Sequence, residues 1–473
     1  GEGPGFDLDT CKSLSLSGKS APGMIDLVKS LPGRLGLNKQ EIAKDGDIRL
    51  SLLEDGGHPS GYYRLRIDAD GIDLAASDAA GLDWGMTTLI QMARCRRTLP
   101  SLSIIDYPAL RYRGVQQDIS RGQVPTMPAF VKLTDVMTEA KMNVLELYIE
   151  HVFKFPSHPD IAPPEALTPD EASELFNYAG RKHINVHAMF QTLGHSDHIL
   201  HMPQYAKYNI GPCVGNAPCT ATFDIRKPET VDFVCELVDD VCKAMPGEYL
   251  TIDITEINYE ALTATGMSPA EITGLIFNFV QSINEVVRAN GMRLMIAQGP
   301  LDSTGHLAGM GPKISEWPAD IMSGRYYCSG GCYQPAWEKD YPRFKKYGVD
   351  FSAQPWIYSH SRVFPWTGAA ADFSDLEVSR GLQYGAIGSV TTDWGDRGNY
   401  HLTGQTWYPY LYHGAVAWAG GPIDRDYFDQ AFTRQIYGIE SDSVARAINL
   451  IGNVSGIPYS MVNPEGKVVD RVT

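Results

Sequence analysis

Long apolar runs are missing from this chain. Nowhere among its 473 residues do ~18 apolar side chains follow one another, so no segment reads as a membrane-spanning helix. Positive charge is also short. Forty Lys and Arg stand against 56 Asp and Glu, a net charge of −16, which excludes a nucleic-acid backbone or an anionic membrane surface as a general partner. No Gly-rich phosphate turn follows a strand-like run, no Cys-x-x-Cys pair occurs, and no internal repeat of fixed period is visible. What remains is an ordinary globular balance, 43% hydrophobic and 20% charged, which can bury a large core and excludes general disorder. The chain opens Gly1-Glu2-Gly3 rather than on Met, so its start says nothing about targeting.

Of eight cysteines, Cys213 and Cys219 bracket a short loop, as do Cys328 and Cys332. Each pair resembles a local disulfide, which would favour an oxidising compartment, secreted or periplasmic. Cys11, Cys95, Cys235 and Cys242 read as buried free thiols.

Residues 1–108 read as a small α+β domain. IRLSLLED and YYRLRIDADGIDLAAS alternate like strands, and AGLDWGMTTLIQMARC carries apolar residues at helical spacing. From residue 109 to 473 the texture changes to eight short apolar runs: YRGVQQDI, NVLELYI, INVHAMF, EYLTIDI, MRLMIAQ, DIMSGRYY, VDFSAQPW and AIGSVTTDW. Helical segments intervene. One is introduced by Thr168-Pro169-Asp170-Glu171, an N-cap followed by Pro and acidic residues, and another is stopped by Asn290-Gly291. Strands alternating with helices predict an α/β fold, a (β/α)8 TIM barrel behind the small domain.

In such barrels chemistry sits at the C-terminal ends of the strands. Here those ends include Asp118 to Arg121, Glu150 and His151, Gln191 to His198, Asp253 to Glu256, Tyr327, Trp356 and Asp393 to Asp396. Carboxylates beside Trp and Tyr suit a sugar. Apolar ring faces stack on aromatics, and glycoside hydrolysis needs one group to protonate the leaving oxygen and a second to stabilise an oxocarbenium-like centre. No dense cluster of metal ligands stands out, and no metal or other cofactor is expected on this reading. A metal-dependent barrel hydrolase is the alternative from another class. His183 and His187 would lie ~13 Å apart along a strand, whereas His195 and His198 could share an ion if the turn after strand three is helical.

The run Tyr112-Arg113-Gly114-Val115-Gln116-Gln117-Asp118-Ile119-Ser120-Arg121 resembles the opening barrel strand of family 20 glycoside hydrolases, the β-N-acetylhexosaminidases. Lys141-Met142-Asn143-Val144, Leu193-Gly194-His195 and Thr392-Asp393-Trp394-Gly395-Asp396 continue the resemblance in order along nearly the whole chain. It implies an exo-acting enzyme that takes an oligosaccharide or glycoconjugate. Arg121 and Asp396 would bind hydroxyls of the terminal sugar. Trp394 would form a pocket wall, with Trp356 and Tyr327 as further wall candidates. His195 would support the acid/base network, and Glu256 would be the acid/base.

Two positions depart from the family. Its Asp beside the acid, which orients a 2-acetamido group, falls on Thr255, and its Asp at strand two is met by His151 beside Glu150. Asp253, on the face of Thr255 but about 7 Å lower by strand spacing, could take over the first role after a bend. Three readings stay open: a hexosaminidase with a displaced acetamide partner; a glycosidase for sugars without that group, using Asp393, Asp396 or Glu150; or an inactive sugar-binding relative.

Overall fold

The computed structural model describes residues 4–17, 24–37, 41–54, 56–212, 220–297, 321–326, 336–396 and 398–454. All eight predicted runs pair in parallel as one closed barrel. In order around it, the strands are Tyr112–Asp118, Val144–Ile149, Asn185–Gln191, Tyr249–Asp253, Arg293–Ala297, Met322–Tyr326, Phe351–Gln354 and Gly388–Asp393, which closes on the first. They are called barrel strands one to eight below. Helices return the chain between strands: Met127–Glu139, Pro169–Gly180, Pro228–Ala244, Pro269–Ala289, Ala336–Tyr347 and Thr367–Tyr384, with Trp407–Ala419 after strand eight.

The expected caps are present. Thr168 and Glu171 form a reciprocal capping box, and Ser268 and Glu271 repeat it. Asn290 ends its helix, with Gly291 at a left-handed φ of 76°. No helix among the described residues is long and apolar enough to cross a membrane.

Strand parity sorts the side chains. Val115, Leu145, Leu147, Val186, Ile252 and Ala353 point outward into the main apolar core beneath the helices. The inward set stacks in layers, as barrel interiors do. Tyr112, Val144, Tyr249, Met295, Met322 and Val390 fill the lower layer. Tyr148, Met189 and Ala297 with Trp394 fill the upper one. Between them lies a polar layer in which Glu146 accepts from Thr251 Oγ1 at 2.5 Å and lies 3.0 Å from His187 Nε2. His187, considered above as a metal ligand, therefore has its Nε2 engaged by Glu146 inside the barrel, while its buried Nδ1 has no hydrogen-bond partner. His183 lies in the turn before strand three, with φ 59°.

Ahead of the barrel, a six-stranded mixed sheet contains Ser13–Ser17, Glu41–Ile42, Ile48–Leu52, Tyr63–Asp68, Gly71–Ala76 and Leu102–Asp106. The helix Ala79–Cys95 packs on it through Leu82, Met86, Leu89 and Ile90. Cys11, Cys95, Cys235 and Cys242 are free thiols, Cys11 and Cys242 buried and the other two half-buried. Cys213, Cys219, Cys328 and Cys332 lie outside the described residues.

Candidate active site

The upper ends of strands one to four and eight bring most of the predicted residues together. Strand one ends at Asp118, and three residues later Arg121 folds back over it. Arg121 Nη1 donates to Asp118 Oδ2 at 3.0 Å and lies 3.4 Å from Asp396 Oδ1. Its Nη2 donates to Tyr148 Oη at 3.1 Å and lies 3.3 Å from Glu150 Oε1. The guanidinium also sits over the rings of Tyr148 and Trp394, 4.9 and 5.4 Å from their centroids. Five partners thus fix one planar fork, the geometry suited to adjacent hydroxyls. Trp394 meets Tyr148 edge-on, so the two rings form one corner of the site.

Glu150 is buried at the end of strand two. Tyr148 Oη donates to its Oε1 at 2.9 Å. Burial pushes its carboxyl up to about 7, and Arg121 and His195 offset only part of that rise. His195 stands between two carboxylates: Nδ1 is 3.8 Å from Glu150 Oε1 and Nε2 is 3.0 Å from Glu256 Oε2. Burial works against an imidazolium here. The bond to Glu256 and the charges of Glu150, Glu256 and Asp253 outweigh it and hold His195 above its usual value. That same bond pulls Glu256 below the ordinary carboxylate range. Glu256 has 56% of its side chain exposed, so it faces the open end of the barrel.

The backbone is built for this pair. His195 and Glu256 both sit at φ 51°, a left-handed conformation that costs an L residue roughly 1 kcal/mol or more. Thr220 ties them together: it accepts from His195 N at 2.6 Å and donates to the Glu256 carbonyl at 2.9 Å. Gly194 is required beside His195, because a Cβ there would meet the Thr255 carbonyl oxygen at 2.3 Å.

Strand four ends at Asp253, and the chain then turns. Asp253 Oδ1 accepts from Thr255 Oγ1 at 2.7 Å and from Thr255 N at 2.9 Å. The expected separation of about 7 Å described an extended strand, and the bend it called for is present. The strand's pairing stops at Asp253. Burial raises the Asp253 carboxyl, against the bonds from Thr255 and the charge of His195.

Other expectations are redirected. Asp393, a candidate nucleophile, points away from the site into the wall. It pairs with His401 at 3.1 Å and accepts from the Tyr410 hydroxyl, with 4% of its side chain exposed. Trp356 has the inward parity of Gln354 and stacks on His360 and Tyr358 at 4.2 and 5.3 Å. Tyr327 lies outside the described residues. His195 and His198 do not converge as a pair, because His198 is on the helix Asp197–Leu200 and stacks against His151 with ring centroids 3.7 Å apart. Burial, and then His198, push His151 down to about 4. Glu150, His151 and His198 nevertheless make a three-residue group of metal-ligand type that the sequence pattern does not reveal. Tyr148 is a further site residue that the motifs do not single out. Its signal is its place on the strand face of Glu150, two residues before it.

A closed (β/α)8 barrel with carboxylates flanking a strand-end His, an Arg fork and a Trp–Tyr corner defines the class: a barrel of the glycoside-hydrolase type. Comparison with known proteins gives the family. The model for glycosyl hydrolase family 20, domain 2, matches residues 1–107, and that for the family 20 catalytic domain matches 110–322. The chain belongs to glycosyl hydrolase family 20.

Among curated relatives, Beta-hexosaminidase 3 of Arabidopsis thaliana is 36% identical over 174 residues, 34% of this chain and 31% of that protein. A beta-hexosaminidase of Porphyromonas gingivalis is 22% identical over 287 residues, 53% of this chain and 36% of that protein. The chain thus matches about a third of the length of these relatives. Among solved structures, the β-N-acetylhexosaminidase of Bacteroides fragilis superposes with a TM-score of 0.70 at 16% identity, over 92% of each chain. A chitobiase of Flavobacterium johnsoniae superposes with a TM-score of 0.72 at 17% identity, over 97% of this chain and 72% of that one. At such identities the superpositions speak for the fold.

Proposed function

We propose that the protein is an exo-acting glycoside hydrolase that releases a terminal β-linked hexosamine from glycans, in the manner of an N-acetylhexosaminidase, with Glu256 as general acid/base. The observation that carries this reading is the relay Glu150–His195–Glu256 at the strand ends, with Glu256 open to solvent. A proton held on His195 Nε2 passes to one oxygen of Glu256. Glu256, now protonated, delivers that proton to the glycosidic oxygen as the bond to the sugar carbon breaks, and its carboxylate is restored. Glu150 behind the ring pairs with the imidazolium before the transfer, and His195 is left neutral after it. A sugar that covers Glu256 removes it from water and raises its proton affinity, which brings an otherwise low carboxyl toward acid duty.

Arg121 and Asp396 supply donors and acceptors for neighbouring hydroxyls of one terminal ring, against the corner made by Trp394 and Tyr148. Asp253, clasped by Thr255, would accept from the N–H of a 2-acetamido group on this reading. The charge that Thr255 lacks would come from the strand end two residues earlier.

The test is a panel of aryl β-glycosides that differ at C2 and C4. Turnover of the 2-acetamido members, with release of monosaccharide, supports the proposal. Preference for the plain glycosides moves the assignment to a family 20 enzyme for sugars without that group. No turnover of any member, together with sugar binding, marks an inactive relative.

A further inference from the structure

The ends of barrel strands two and three place His151 and His198, which the proposed relay does not use, beside Glu150, which it does. We infer that Glu150, His151 and His198 form a binding site for a divalent transition-metal ion of the Zn2+ or Cu2+ class, whose occupancy withdraws Glu150 from Arg121 and His195 and so inhibits the enzyme.

Three ligand atoms, one from each residue, lie within 4.8 Å of one another. His151 Nδ1 is buried and has no hydrogen-bond partner, an arrangement that leaves a ring nitrogen uncompensated. The His151 and His198 rings lie stacked, 17° from parallel. His198 is exposed on a helix of four residues, so one ligand can swing and the remaining coordination positions open to water. Donors around a tetrahedral ion with bonds of ~2.0 Å are about 3.3 Å apart. The group must therefore contract by roughly 1.5 Å at its widest, with the rings fanned out of their stack. Two imidazoles and one carboxylate favour Zn2+, Cu2+ or Ni2+ over Mg2+ and Ca2+, which prefer oxygen. The other histidines nearby are committed: His187 to Glu146, and His195 to Glu256 and Glu150.

Glu150 is the shared element. Its Oε1 accepts from Tyr148 at 2.9 Å and stands 3.3 Å from Arg121 and 3.8 Å from His195. A carboxylate turned onto an ion leaves these three, and His195 then loses one of its two acidic neighbours. Metal binding itself does not depend on the proposed activity; the inhibitory consequence rests on it.

The experiment titrates the full chain, stripped of metal, with ZnCl2 by calorimetry and with Co2+ by its d–d absorption. The same titrations follow on His151→Gln and His198→Gln. Saturable 1:1 binding that weakens about tenfold or more in both variants is expected, a scale that even outer-shell partners reach. Zinc should inhibit the unmodified protein, and His198→Gln should turn over normally without metal and resist that inhibition. Absence of saturable binding, or binding unchanged in both variants, overturns the site. Binding lost in the variants while zinc never affects turnover overturns the inhibitory half. Zinc binding through both histidines in a protein that cleaves no glycoside sinks the proposed function and leaves the site standing.

Discussion

Glu256 and His195 illustrate how single residues are tied into one pair. Both hold a left-handed backbone, both are anchored through Thr220, and each shifts the other's proton affinity in the direction of an ion pair. Glu256→Gln keeps an oxygen near His195 Nε2 and removes the transferable proton. The fold is expected to survive, and turnover of an unactivated glycoside should fall by roughly 10²–10⁴-fold, the range for a positioned proton donor. Aryl glycosides with good leaving groups should lose much less, because their leaving oxygen needs little help. Normal cleavage of an unactivated glycoside by the variant would remove Glu256 from the acid role. Arg121, Glu150, His195, Glu256 and Asp396 are legible in the sequence because each terminates a predicted strand or the turn after it. The exclusion of Asp393 is not legible there. Whether its side chain enters the site or the wall depends on strand parity and on partners as distant as His401 and Tyr410.

At the scale of elements, the eight strands are readable because a parallel barrel strand is buried on both faces and shows as a short apolar run. Where a strand stops is set by hydrogen bonding to its neighbours, and that information is absent from the run itself. Strand four shows the consequence. Its apolar pattern continues through Ile254, yet its pairing ends at Asp253, and the turn that follows delivers Thr255 back onto the Asp253 carboxylate. On the proposed function, this clasp makes Asp253 the carboxylate that meets a 2-acetamido group. Asp253→Asn retains an acceptor for Thr255 and removes that charge, so the element should stay folded. If substrate assistance operates, a thiazoline mimic of the oxazoline intermediate should inhibit the unmodified protein tightly, and the variant should lose most of that affinity. Equal inhibition of both proteins would detach Asp253 from the acetamide. Indifference of both to the thiazoline would argue against assistance altogether.

The whole molecule is held together by a junction that the family-like motifs turn out to build. Arg113 is fully buried at the start of strand one. It donates to the carbonyls of Leu110 and Lys141 and is sandwiched between Trp84 of the small domain and Trp418 of the barrel, 4.7 and 5.1 Å from their rings. Gly114 follows because a Cβ there would meet the Val144 carbonyl oxygen at 2.0 Å. Lys141 crosses the same junction. Its ammonium lies 2.8 Å from Tyr63 Oη and 3.1 Å from Asp106 Oδ2, and the Trp418 indole N–H donates to Asp106 at 2.9 Å. Asp106 is the only carboxylate in ion-pair contact with Lys141 among the described residues.

Burial pushes Lys141 down to about 8 even with this partner, so at neutral pH the folded protein holds a charge its surroundings disfavour. Asp106→Asn removes the compensating charge and sets an amide N–H2 against donors. A loss of about 1–3 kcal/mol is expected, less than for a fully enclosed pair because 30% of the Asp106 side chain reaches solvent. The pH dependence follows from the sign of the shift. A lysine whose folded value is depressed costs stability below that value, and the cost fades as pH rises through it, because the folded state then releases its proton before the unfolded chain does. Losing Asp106 depresses Lys141 further. The gap in melting temperature between the two proteins should therefore be wide at pH 6, shrink as the pH approaches about 8 and be small above it. Thermal melts at pH 6 and pH 9 decide it. A gap of equal size at both would mean that the Asp106 carboxylate supports the junction through its hydrogen bonds to Trp418 and Tyr63 rather than by holding the Lys141 charge.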